Sequence, residues 1–211
     1  GKSENIITQD LYFTPSNISD STVTMTAQTG NGGSLVLDYT LGKDYLLHFS
    51  LQVKGLNGIF APNYKEMDIE WTDLARQQEK GFTFENRYST LTYKESKGGT
   101  DYLSETSEKI DEKIEKSLDW VAFKNQFFSA VLIADKPMTK ASLSSTQADE
   151  KDADYLKEYE ASAQIPFDVT GKESTHLQMY LGPNDFHILK AHSKMTAYGA
   201  DADLDELVYL G

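Results

Sequence analysis

No cysteine occurs in the 211 residues. That excludes disulfides, thiolate catalysis and cysteine-based zinc sites, and it fits an oxidising compartment without requiring one. Positive charge is scarce as well: 20 Lys and Arg against 33 Asp and Glu leave a net charge of −13. A chain of that sign, with no basic stripe, is repelled by phosphate backbones, so no nucleic-acid partner is expected. Charge does not hold it on an anionic bilayer either. Long hydrophobic runs are missing. The longest, Trp120 to Ala134, is broken by Lys124, Asn125 and Gln126 and falls short of the roughly 20 apolar residues of a membrane helix. There is no signal peptide, although Gly1-Lys2-Ser3 reads as a trimmed end, so this says nothing of the natural protein. G-x-S-x-G, P-loop and G-x-G-x-x-G motifs are also missing, as are internal repeats.

What is present favours strands. Hydrophobic residues make up 39% of the chain and aromatic ones 11%, with 12 Tyr and 10 Phe. A domain of this size buries roughly 70% of its unfolded surface and needs no covalent staples. Residues 1–20 are a polar lead-in with one apolar knot, Leu11-Tyr12-Phe13. TVTMTAQT and SLVLDYTL alternate on either side of Thr29–Gly33 and predict a hairpin. Asp44–Lys54, Met67–Ala75 and Phe82–Glu95 are further candidate strands. Ser104–Leu118 is ambiguous. Ile110, Ile114 and Leu118 suit a helix by their four-residue recurrence and a strand face by their even spacing. Phe127–Ala134 predicts a central strand, Met138–Asp154 a solvated loop, and Tyr155–Phe167 and Thr175–Leu181 the last two strands. Beyond Pro183, Asn184 or Asp185 is placed to cap a short helix through about Met195. Asp203 with Glu206 resembles a capping box ahead of the stripe Leu204, Leu207, Val208, which predicts a small amphipathic helix over Asp203–Leu210.

Candidate chemistry is thin. His187 and His192 are five apart and do not share a helix face as a metal-binding pair would; His48 and His176 lie on separate strands. All four are expected to be ordinary surface or core histidines. Asp201, Asp203 and Asp205 start like a calcium loop, but the sixth position is Glu206 rather than Gly. Acids near a helix start are the plainer reading. Asp149, Glu150, Asp152 and Asp154 read as a solvated loop, and the pair Asp68 and Glu70 carries no signal among so many acids. Trp120 is expected in the core. Trp71, Tyr88, Tyr93 and Tyr102 are the aromatic candidates for a sugar platform, with ordinary packing the simpler expectation. No catalytic, cofactor or metal residue is assigned.

Two ordered motifs carry a resemblance. Trp120, then Val121-Ala122, then Phe127-Phe128 and Ser129-Ala130-Val131-Leu132-Ile133 form the first; the strand end Tyr180-Leu181-Gly182-Pro183 forms the second. In this order they resemble the large periplasmic domain of the YidC membrane-protein insertase, in a Bacteroidetes-like form. The resemblance spans roughly Asp10 to Gly211. It implies an antiparallel β-sandwich of the super-sandwich, galactose-mutarotase-like type over 21–183. A helical segment over 184–211 would lead toward a membrane helix outside the chain. Phe60–Tyr64 and 136–154 look like local elaborations. The family's domain usually begins with several more strands, so the lead-in over 1–20 reads as truncated. The resemblance further implies a non-catalytic periplasmic role in insertion and folding of inner-membrane proteins, with nascent chains or accessory subunits of the Sec translocon as partners. The family's substrate groove lies in membrane helices, so no insertase residue carries over. The alternatives are a secreted carbohydrate-binding or mutarotase-like sandwich and a generic extracytoplasmic interaction domain. Against a mutarotase, no histidine lies in an Asn-His-x-Tyr-Phe-type segment.

Overall fold

A computed structural model describes residues 5–56, 58–149, 151, 154–195 and 201–208. Asn57, Glu150, Asp152 and the end of the Asp203–Leu210 stretch lie outside these residues. The fold is mostly β, and every strand pairing among the described residues is antiparallel. Its strands are β1 (Thr14–Ser16), β2 (Thr22–Gln28), β3 (Ser34–Leu41), β4 (Leu46–Lys54), β5 (Glu66–Arg76), β6 (Thr90–Glu95), β7 (Thr100–Tyr102), β8 (Lys109–Ile114), β9 (Leu118–Lys124), β10 (Phe128–Gln147), β11 (Tyr155–Pro166) and β12 (Thr175–Pro183). Two short helices, α1 (Phe82–Arg87) and α2 (Phe186–His192), accompany them.

The first sheet runs β1-β2-β3-β4-β12-β10-β9-β6-β7, and the second runs β8-β10-β11-β5. The long strand β10 belongs to both. It pairs with β12 through Ala134 and with β9 through Ile133 and, after a register shift, again at Met138, and from Thr139 and Ala141 onward it pairs with β11 and β8. Packed together, the sheets make the expected β-sandwich. Its main core holds Leu91, Val121, Phe123, Leu132, Leu143, Leu156, Tyr159 and Ile165, among others. Full burial of each such side chain contributes roughly 1.5–3 kcal/mol. A second cluster forms on the opposite face of the first sheet, where Leu189, Leu204 and Leu207 cover Trp120, Val131, Ile133 and Tyr180.

Several expectations are corrected. Phe82–Glu95 is not one strand but α1 followed by β6. The Phe82/Phe84 alternation misleads, because Phe82 is buried and Phe84 exposed. The helix is held instead by Glu85, whose buried carboxylate accepts the backbone N–H groups of Gln78 and Glu79. Met138–Asp154 is strand as far as Gln147. Its serines and threonines serve well in a strand paired on both sides, while Met138, Ala141 and Leu143 point into the core. Ser104–Leu118 holds no helix among its described elements. Lys109–Ile114 is a strand with Ile110 and Ile114 on its covered side and Lys109, Asp111 and Lys113 exposed. Charge suits it because, among the described residues, β8 pairs only with β10 and forms a sheet edge. Asp185 caps α2 as expected, accepting from the N–H groups of His187 and Ile188 at 2.9 and 3.0 Å. The last stretch is a single 3-10 turn, Leu204–Leu207, and Asp203 makes no side-chain cap to it. Asp203 takes a left-handed conformation (φ +51°), which points its carboxylate elsewhere.

Candidate functional site

Two clefts meet beside β12. One, of about 520 Å³, lies among Ile165–Asp168, Thr170 and Lys172–Leu177, with Lys65, Asp135 and Lys136. The other, of about 380 Å³, lies among Asp38, Thr40, His48–Ser50, Asp135 and His176–Gln178. Asp135, His176 and Leu177 belong to both. Strand register explains the gathering. Gln178 stands opposite His48, and His176 opposite Ser50. Ser50 in turn stands opposite Asp38. His48, Asp38 and His176 therefore project from one side of the first sheet, the side away from the main core. Thr24 Oγ1 fixes Asp38 by donating to its carboxylate at 2.5 Å. The Oε1 of Gln178 is buried and has no hydrogen-bond partner. Among the described residues, no group of three His, Asp or Glu is arranged to hold a metal ion. The larger cleft is bordered by a tight turn. Asp168 accepts from Thr170 N, Thr170 Oγ1 and Glu173 N at 2.7–2.9 Å, and these bonds lower its pKa to about 2.

The four histidines thus separate. His48 and His176 converge on one cleft, which their sequence positions did not reveal. His192 is buried, donates from Nε2 to the Asp44 carbonyl at 2.9 Å and meets Tyr180 edge to face. His187 is exposed beside Phe186.

Asp201, Asp203 and Asp205 do not form a loop around a common point. Asp203 reaches the buried ammonium of Lys94 at 2.9 Å, while Asp201 and Asp205 flank Lys190 at 3.7 and 3.2 Å. Lys190 and Ser193 both donate to Asp205 and keep its carboxyl below the usual range against the opposing effect of burial. Ser193 Oγ also receives the N–H of Leu204, and the Ser193 carbonyl receives that of Ala202. Trp120 is fully buried under this segment and donates its indole N–H to the Ala202 carbonyl at 2.6 Å. Asp203 therefore ties the C-terminal segment to the sheet through Lys94, while Asp201 and Asp205 brace that segment internally against Lys190 and Ser193. Sequence reading missed Lys94, for which no periodic signal exists. It also missed Lys157, which is buried and donates to the carbonyls of Ser89 and Glu105. Lys157 does carry a signal, because it shares the inward parity of Tyr159, Ala161, Ala163 and Ile165.

The aromatic candidates are dispersed. Trp71 stacks on Phe123 with ring centroids 3.8 Å apart, Tyr93 is buried, Tyr88 tilts against Phe84 and Tyr102 is exposed. Asp149 receives the N–H of Lys151 in an exposed turn. Asp68 receives an amide N–H from Gln164 at 2.8 Å. No shared aromatic platform is built from these residues.

Comparison with known proteins places this architecture. The family model for the YidC periplasmic domain matches residues 5–211. A membrane protein insertase YidC of Phocaeicola vulgatus is 47% identical over the whole chain, which covers 34% of that protein. Those of Parabacteroides distasonis and Bacteroides fragilis are 41% and 40% identical over 97% of the chain, which covers 32% of each. The chain thus spans about a third of the length of these relatives. With the family matched from end to end and the expected sandwich in place, the chain belongs to the family of YidC periplasmic domains.

Proposed function

We propose that the chain serves as the non-catalytic periplasmic part of a membrane-protein insertase, assisting insertion and folding of inner-membrane proteins. The observation that carries this is the family match over 5–211, together with relatives of which the chain is one third. On this reading 1–20 is a lead-in, 21–183 the working sandwich, and 184–211 the connection toward a membrane helix outside the chain. The tie described above supports a connecting role. Trp120 and Lys94 seat the last described residues firmly on the first sheet and the Ser193 network braces them, so the sandwich and whatever follows it would move together. The partners on this reading are nascent membrane proteins and accessory subunits of the Sec translocon.

The test uses the full-length natural protein in cells depleted of their own insertase. Removing the domain should slow maturation of inner-membrane proteins with large periplasmic loops, and photo-crosslinkers on the sandwich should trap nascent chains or translocon subunits. A natural gene without membrane helices around this segment, or maturation unaffected by the deletion, would overturn the reading.

A further inference from the structure

The inner face of the first sheet is apolar well beyond the part that the second sheet covers. Register shows where the cover ends. One cross-strand row runs Leu91, Phe123, Ala130, Leu181. Leu91 and Phe123 are 0% and 2% exposed, but Leu181 is 53% exposed. The next row runs Tyr93, Val121, Leu132, Met179, Leu47, Leu41. Its first members are buried, its middle half-buried, and Leu41 is 60% exposed. Phe128 belongs to the same face and is exposed too. Over the covered end of the first row stands Trp71 of β5, stacked on Phe123. The apolar floor therefore continues past β5 into the open.

Among the described residues, strand β5 is also the last strand of its sheet, paired with β11 alone. No strand among the described residues pairs with its other edge along its eleven residues, although the Leu74 N–H is already taken by the Asp73 carboxylate. An edge of that length next to an apolar floor suits strand addition, in which backbone bonds supply affinity and alternate side chains supply selectivity. The charges on β5 select the guest. Asp68 and Glu70 are exposed on its outward face, and among the described residues only Glu66 has a cation in reach, Lys140 at 3.4 Å. A guest strand would set its outward side chains beside these acids, where opposite charges stabilise and like charges repel. A second copy of this chain would bring its own acids to the same edge, in a molecule of net charge −13.

We infer that the open edge of β5 and the adjoining floor around Leu181, Phe128 and Leu41 form a docking groove for an extended, unfolded polypeptide segment in which apolar residues alternate with Lys or Arg. The guest adds to β5 as a strand, apolar side chains on the floor and basic ones beside Asp68 and Glu70. This deepens the reading of the domain as an aid to client proteins, and it names how a client would be held.

The probe is a fluorescent synthetic peptide the length of β5 in which Val alternates with Lys, titrated into the purified chain and followed by anisotropy. Saturable binding is expected, and it should be lost when the amides along one edge of the peptide are N-methylated. Leu181→Glu, at an exposed position, should weaken it by at least about tenfold, an energy near 1.4 kcal/mol. Glu70→Lys should weaken it and flatten its dependence on salt. Phe128→Glu serves as a second floor variant, and unchanged urea midpoints show that each variant folds. Equal binding of methylated and unmethylated peptides overturns the proposal, as does full binding by both floor variants. A peptide-independent dimer in sedimentation that Leu181→Glu abolishes overturns it in favour of self-association. Uptake of zwitterionic vesicles at this face without peptide binding overturns it in favour of lipid. Failure in this assay leaves the accessory-domain reading standing, and failure of the depletion experiment leaves a measured peptide groove in place.

Discussion

The indole N–H of Trp120, on a central strand, donates to the carbonyl of Ala202 at 2.6 Å, 82 residues along the chain. Both residues are buried, so neither group has water as an alternative. Trp120→Phe removes the donor, strands the carbonyl and leaves a small void. The expected cost is about 2–4 kcal/mol, read as a lower urea midpoint. Hydrogen exchange should show a second effect that a uniform loss of stability would not give. The amides of Ala202 and Leu204, which donate to Ser193, should lose protection more than those of β9 and β10.

The same segment is pinned by Lys94 and Asp203, 2.9 Å apart, with Lys94 almost fully buried and also donating to the Gly98 carbonyl. Asp203→Asn removes the charge but tolerates the left-handed backbone, and should cost about 1–3 kcal/mol. Asp203→Val adds a β-branched side chain at φ +51° and should cost about 1–2 kcal/mol more. The double variant Lys94→Met, Asp203→Asn should be more stable than the additive sum of the single variants, because it leaves no unpaired buried ammonium. Additive losses in urea titrations would mean that the pair is not coupled.

These pins mark the limit of what could be read in advance. The β2–β3 hairpin and β11 follow from alternating residue types, the first half of β10 from its β-branched and aromatic content, β12 from the turn ahead of it, and the Asp185 cap from a side chain facing the first turn of a helix, each a short-range rule. The family resemblance supplied the sandwich. The second half of β10 was hidden because its Ser and Thr side chains look like loop chemistry, whereas pairing with both β11 and β8 decides its conformation. Helix α1 was hidden because a buried Glu85 holding two backbone N–H groups leaves no periodic mark. The meeting of His48 with His176, and the edge of β5 beside an uncovered floor, arise from strand order. Strand order depends on contacts between distant segments, which a local pattern does not encode.

Gly171 closes the turn that borders the larger cleft. It has φ +74°, and an added Cβ would lie 2.2 Å from the Val53 carbonyl oxygen, against backbone that has no room to yield. Its own carbonyl receives the Gln52 side-chain amide at 2.7 Å. Gly171→Ala should therefore cost at least about 2 kcal/mol, a fall in Tm of about 4–8 °C for a chain of this size. Gly99→Ala is the matched control, because nothing lies within 4 Å of its added Cβ and its φ is not positive. Equal melting of the two variants would show that the turn relaxes without cost.

The last prediction concerns pH and rests on Lys157. Its ammonium is buried and donates to the carbonyls of Ser89 and Glu105 at 2.7 and 2.8 Å. Burial lowers its pKa to about 8, against a smaller upward pull from Glu105. In the unfolded chain a lysine titrates near 10.4. Below about pH 8 both states hold the proton, and the full cost of burying the charge is present. Between about pH 8 and 10.4 the unfolded state binds more protons than the native state, so the contribution of this residue to stability rises with pH. Tyr93 and Tyr180 act the other way at higher pH. Burial raises both to about 12, so above about pH 10 the unfolded chain loses protons that the native chain keeps, and stability falls. Urea midpoints of the wild-type chain should thus rise from pH 8 toward 10 and fall beyond it. Lys157→Met should be less stable at pH 7 by about 2–4 kcal/mol, since it strands two carbonyls. It should also lose most of the rise between pH 8 and 10, Lys124 (whose pKa burial also lowers) keeping a smaller part of it, while the fall above pH 10 persists. Parallel curves for the two proteins across that window would show that Lys157 titrates as an ordinary lysine and that its burial does not govern the alkaline stability of the domain.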